Sequence, residues 1–233
     1  MKEPFYKSSK SYVLCGLAGI IGAMCFVAAI FLNSMTTVIV SEAKTVDGAS
    51  LFDSVLYGLS DLKYGFSLKD IIPLLLVIII ILSAIILFVF AIRDNFCNEH
   101  YKMLKHGAET GKAESENEKT ESNPSERFGN NRLYNFVVNH KYLSRFIPIV
   151  VSILGFICLY KTQAYSNVYK NNMAIVENYK AIINQYEIAG VSTGTMKASA
   201  FIGIGKILLF VGIILYIGAI CFNFILDTLN EEQ

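Results

Sequence analysis

The chain has 233 residues, 54% of them hydrophobic, and a mean hydropathy of +0.48, well above the balance of an ordinary soluble domain. Twenty Lys and Arg against nineteen Asp and Glu leave a net charge of +1, so no strongly basic or acidic field points to nucleic acid or a charged substrate. The five cysteines, Cys15, Cys25, Cys97, Cys158 and Cys221, lie in or beside apolar runs and offer the polar connections no disulfide framework.

Four stretches, 13–32, 71–92, 146–160 and 207–226, contain no Asp, Glu, Lys, Arg or His. A helix of roughly 20 apolar residues matches the ~30 Å hydrocarbon core of a bilayer. Only helices or closed barrels satisfy their own backbone groups there. The expected fold is all-α: a four-helix transmembrane bundle with helical extracytoplasmic extensions.

Residues 1–10 form a cytoplasmic N-terminus carrying Lys2, Lys7 and Lys10. The apolar run that follows exceeds the ~7–15 residues of a signal-peptide core and no small-x-small cleavage site follows it, so 11–32 is read as an uncleaved first span. Gly16, Gly19, Gly22 and Ala23, with Cys15 and Ala18, give the small-xxx-small spacing that lets helices approach closely in lipid. Packing within the bundle is the plain reading, and pairing with a second copy the sharper one.

An outer loop over 33–70 comes next. Residues 36–40, Thr-Thr-Val-Ile-Val, either finish the first helix or form a short strand. Ser50 and Asp53 make a capping-box pair, and Phe52, Val55, Leu59 and Leu62 repeat at 3-4-3 spacing, predicting an amphipathic helix over 50–62. The second span, 71–92, is apolar all round and has Pro73 in its first turn, with Ser67 or Asp70 to cap it.

Residues 93–145 form a cytoplasmic loop. Its centre, 107–131, has Phe128 as its only large apolar side chain and is expected to be disordered. Residues 96–104 are expected to continue the second helix. Leu133, Phe136, Val137 and Tyr142 suggest an amphipathic approach to the third span, 142–160, with Arg145 reaching out to the headgroups. Cys97, Glu99, His100, His106 and His140 include metal-ligand residue types. No second pair has matching spacing, so a solvated helix is preferred and no metal or other cofactor is expected.

The second outer loop, 161–200, carries the longest pattern. Tyr165, Val168, Asn172, Ile175, Tyr179, Ile182, Tyr186 and Ala189 follow unbroken 3-4 spacing before Gly190. This predicts a helix over about 161–189, continuous with the third span, whose a and d positions form an interaction seam. Two outer helices with apolar stripes are expected to shelter each other. The fourth span is placed at 201–226, and 227–233 forms a cytoplasmic C-terminus. Lys206 lies near the outer end of that span, where lysines snorkel; the sharper reading makes it part of a vestibule. Gly203-Ile204-Gly205-Lys206 lacks the glycine and the Ser/Thr that a phosphate loop needs at 200 and 207. No span contains Asp, Glu or His, and Ser83 and Ser152 have no base partner by pattern, so catalysis is not expected.

Orientation follows from Lys and Arg placement. With the N-terminus inside, cytoplasmic segments hold 12 of 20 basic residues, including all four arginines, Arg93, Arg127, Arg132 and Arg145. The expected location is the plasma membrane, with both termini cytoplasmic.

The layout is similar to that of claudins and tetraspanins, but the chain has no Trp, no cysteine pair in the first outer loop and no Cys-Cys-Gly in the second. Small multidrug exporters need a first-span Glu, also absent here. The Ile, Asn, Lys and Tyr bias, with Gly-Leu-Ala-Gly-Ile-Ile-Gly-Ala at 16–23 and Leu-Tyr-Gly-Leu-Ser-Asp-Leu-Lys-Tyr-Gly-Phe at 56–66, resembles four-span membrane proteins of low-GC Gram-positive bacteria. That resemblance covers the topology of the whole chain and implies no defined activity. The functional expectation is a non-enzymatic assembly, scaffolding or accessory protein of the cell envelope. Its partners would be the lipid bilayer and either a further copy of itself or another envelope membrane protein. The alternatives are an oligomeric channel or transporter subunit, and an envelope-stress or bacteriocin-immunity protein.

Overall fold

The computed structural model describes residues 8–40, 44–61, 68–98, 102–103 and 141–231. Over these the chain is predominantly helical, as expected of its composition, with a small sheet added. In chain order the elements are α1 (Ser9–Phe31), β1 (Asn33–Val40), β2 (Lys44–Ser50), α2 (Leu51–Asp61), α3 (Leu68–Phe96), α4 (Lys141–Tyr160), α5 (Gln163–Ile188), β3 (Lys197–Ile202) and α6 (Ile204–Glu231). Helices α1, α3, α4 and α6 are each long and apolar enough to cross a membrane, so the chain is a multi-pass membrane protein.

Contacts divide the chain into two compact units. The first draws on Met1–Ala23, Ile85–Val150 and Ile214–Gln233, and so holds one end of each long helix. Small residues let its helices meet. A Cβ built on Gly16 would lie 2.5 Å from the Phe96 ring, and one on Gly19 would lie 3.0 Å from Ala91 Cβ. Tyr12, Cys15 and Leu226 form a buried cluster, and Tyr216 donates its hydroxyl to the Leu87 carbonyl at 2.7 Å.

The second unit comprises Met24–Ala84 and Val151–Ile213. It contains the three-stranded antiparallel sheet, in the order β2-β1-β3, with α2 and α5 against it. The β-branched run at 36–40 resolves as strand, where its side chains suit a pleated surface. Register places Val38 opposite Val46 on one side and Ser199 on the other. Met35, Thr37 and Ile39 alternate onto the buried face.

The sheet takes up the strand alternative at 36–40 and pairs it with a segment more than 150 positions away in sequence. Three expectations need correction. The third span does not run on into the outer helix: α4 ends at Tyr160, and the Thr162 side chain caps a new helix by accepting from the Tyr165 amide at 3.2 Å. The fourth span does not begin at 201, because Lys197–Ile202 is strand. Its Gly203 packs so closely on the Asn33 carbonyl that any Cβ would collide. Helix α3 stops at Phe96, so the expected continuation breaks at 97 and 98; residues 99–101 and 104 lie outside the described residues. The expected capping box is formed, with the Ser50 amide donating to Asp53 Oδ2 at 2.6 Å and the Asp53 amide to Ser50 Oγ at 3.1 Å.

Candidate interaction surface

Helix α5 stands against the sheet through a short, well-defined inner face. At its base the Ser34 hydroxyl donates to the Ala49 carbonyl at 2.8 Å, so the Tyr165 hydroxyl, also 2.8 Å from Ser34 Oγ, donates to it. Burial pushes the Tyr165 phenol up from its ordinary value, and neighbouring Tyr169 adds to the rise. Further along, Val176 closes a core with Ile39 and Ala198, and Ile183 packs beside them. The step from Ser34 to Ile39 at ~3.3 Å per strand residue and the step from Tyr165 to Val176 at ~1.5 Å per helical residue both come to roughly 16 Å. Helix and strand therefore run alongside each other, leading away from the end of α1.

The predicted seam is not the face that meets the sheet. Val176 is fully buried, whereas Ile175 is 44% exposed, Tyr179 38%, Ile182 44% and Tyr186 45%. Tyr165 is buried and Val168 half-buried at the base. One position on a helix is a rotation of about 100°, so Val176 and Ile183 sit on the shoulder of the heptad stripe. Helix α5 thus has two adjoining apolar faces. The sheet covers one, and the other stays open.

The two outer helices meet as expected, α2 lying against α5 as extensively as β3 does. On α2 the buried side is Leu51, Ser54 and Val55. Of the predicted stripe, Val55 is buried, Phe52 packs on the Phe31 ring at 5.1 Å and Leu59 is exposed. Leu62 lies outside the described residues. Gly58 of α2 packs directly on the Asp70 carbonyl of α3, with no space for a side chain.

The small residues Gly16, Gly19, Gly22 and Ala23 are all buried within the chain. Gly16 and Gly19 have Phe96 and Ala91 as neighbours, which matches packing within the bundle. Lys206 lies in the first turn of α6, half-buried, with its ammonium 5.4 Å from the centre of the Tyr160 ring. The preceding residues Lys197–Ile202 form β3. Cys97 is exposed; Glu99, His100, His106, His140 and the segment 107–131 lie outside the described residues.

Sequence reasoning missed a set of paired charges in the first unit. Arg145, expected to reach the headgroups, is almost fully buried. It forms a two-pronged pair with Asp94, both N–H···O distances being 2.6 Å, beneath the Phe90 ring. Asp227 accepts from Tyr12 at 3.2 Å, from Tyr142 at 2.6 Å and from Lys141. Asn230 adds a bond to the Tyr12 hydroxyl at 3.1 Å. Acids at the ends of two spans, Asp94 and Asp227, were the available signal. Their partners lie 51 and 85 positions or more away, which no local pattern reveals. These groups join α1, α3, α4 and α6 to one another, and each charge has an opposite charge to neutralise it.

Comparison with protein-family models, with curated proteins and with solved structures finds no match to this chain.

Proposed function

We propose that this chain is a non-enzymatic membrane protein of the cell envelope whose outer headpiece is an assembly surface. The observation that carries the reading is the open stripe of Ile175, Tyr179, Ile182 and Tyr186 on a helix already anchored by its other face. Burying each such side chain contributes about 1.5–3 kcal/mol, so a row of four favours a protein partner. Lipid is a poor candidate: at ~1.5 Å per residue the stripe lies roughly 15–30 Å beyond Tyr165. The buried charges read as structural fasteners, since each is matched within the chain.

The test is Tyr179→Asp and Ile182→Asp, each in the full chain extracted in mild detergent. Both should reduce the size of the native complex while leaving the thermal midpoint within a few degrees of the parent, because the side chains are already open. Wild-type complexes in both variants would remove this function.

A further inference from the structure

We infer that the open stripe of α5 is covered by the same stripe of a second copy, the two helices lying parallel and in register. The inference rests on the assembly surface proposed above and names its occupant.

Three features favour a second copy. The first is the layering. The a positions are Tyr165, Asn172, Tyr179 and Tyr186, and the d positions are Val168, Ile175, Ile182 and Ala189. From Ile175 onward these alternate tyrosine with isoleucine, the repeat that knobs-into-holes packing requires. Asn172 sits at an a position at the foot of the open stripe, half-buried, with its amide donating to the Val168 carbonyl at 3.0 Å. A polar residue in that place selects register and strand number.

The second feature is charge. The four charged residues of the helix, Lys170, Glu177, Lys180 and Glu187, fall at b and f positions, away from the seam. The e side holds Tyr169, Val176 and Ile183, and the sheet occupies it through Val176 and Ile183. The open g side carries Asn171, Asn178 and Gln185. Charges at e and g normally choose a partner. A row of amides makes no choice against its own copy, because it brings no like charges together.

The third feature is geometry. Two copies inserted the same way in one membrane present this stripe at the same height and pointing the same way. Only a two-fold axis normal to the membrane is then needed to bring a onto a and d onto d, and that closes the assembly at two. Four layers bury far less than the ~800 Å² per partner of a free-standing interface. Anchoring both chains in one membrane raises their effective concentration and compensates for the small area.

A photo-crosslinking residue placed at 182 in the full chain, in native membranes, tests this. The expected product is twice the 25.9 kDa chain mass, joined α5 to α5 by peptide mapping, with none from position 177. Tyr179→Asp should abolish it. A product from 182 joined to a different protein would overturn the second copy while leaving the assembly surface standing. No product from 175, 179 or 182 would overturn both. Equal yields from 177 and 182 would mark random collision and overturn the inference.

Discussion

Arg145 illustrates what burial does to a single charge at the end of a span. Its guanidinium and the Asp94 carboxylate are both removed from water and bonded to each other twice. Removing one member strands the other, at a cost of about 3–5 kcal/mol. Arg145→Ala and Asp94→Ala should each lower stability by that amount in detergent denaturation, whereas the double replacement Arg145→Met with Asp94→Leu should recover most of it. Single variants that unfold like the parent would show that water reaches the pair. Tyr165 makes the corresponding case outside the membrane. Its pKa is raised in the folded state, so its contribution is complete below the unfolded tyrosine value of about 10 and is lost as pH climbs through the folded value. Tyr165→Phe should forfeit about 1 kcal/mol at neutral pH and flatten the alkaline limb of the stability curve. Identical alkaline limbs for parent and variant would refute this.

At the scale of elements, what the sequence reveals depends on how local the determining contact is. The Ser50–Asp53 box spans three residues, and both of its bonds form where the pattern predicts them. Periodicity likewise identifies α5 as a helix with a 3-4 apolar repeat. It does not tell which edge of the apolar arc faces the protein, because Val176 and Ile183 adjoin Ile175 and Ile182 and are equally apolar. That choice is made by β1 and β3, far away in the chain. Strand β3 was itself hidden: Ala198, Ser199 and Ala200 have little intrinsic strand preference, and pairing with β1 imposes the conformation. The two faces predict different responses to the same chemistry. Val176→Ala opens space in a filled core and should lower headpiece stability by about 1–3 kcal/mol. Ile182→Ala should change stability by less than about 0.5 kcal/mol and act on association instead. Equal losses of stability at both positions would show that the stripe is already covered within one chain.

For the whole molecule, the number of crossings and the placement of positive charge together predict an orientation that can be measured. Each of the four apolar helices is long enough to have its two ends on opposite sides of a bilayer, and an even number of crossings returns the chain to the side where it started. The bonds from Tyr12 to Asp227 and from Asn230 to Tyr12 tie the first and last helices together near their outermost residues, which fits that count. All four arginines fall on the side of the α3–α4 connection, the bias expected of a cytoplasmic face. Two thiols convert this into an experiment. Cys97 is native, exposed and just past the end of α3. Asn184 is exposed on α5 at an f position, away from the stripe. The other exposed cysteines, Cys158 and Cys221, lie within apolar spans, out of reach of a water-soluble maleimide. In intact cells an impermeant maleimide should label Asn184→Cys and spare Cys97, which should react only after permeabilisation. The reverse pattern would invert the orientation while keeping four crossings. Labelling of both sites in intact cells would mean that α4 does not cross, because one membrane-length helix separates the α3–α4 connection from α5.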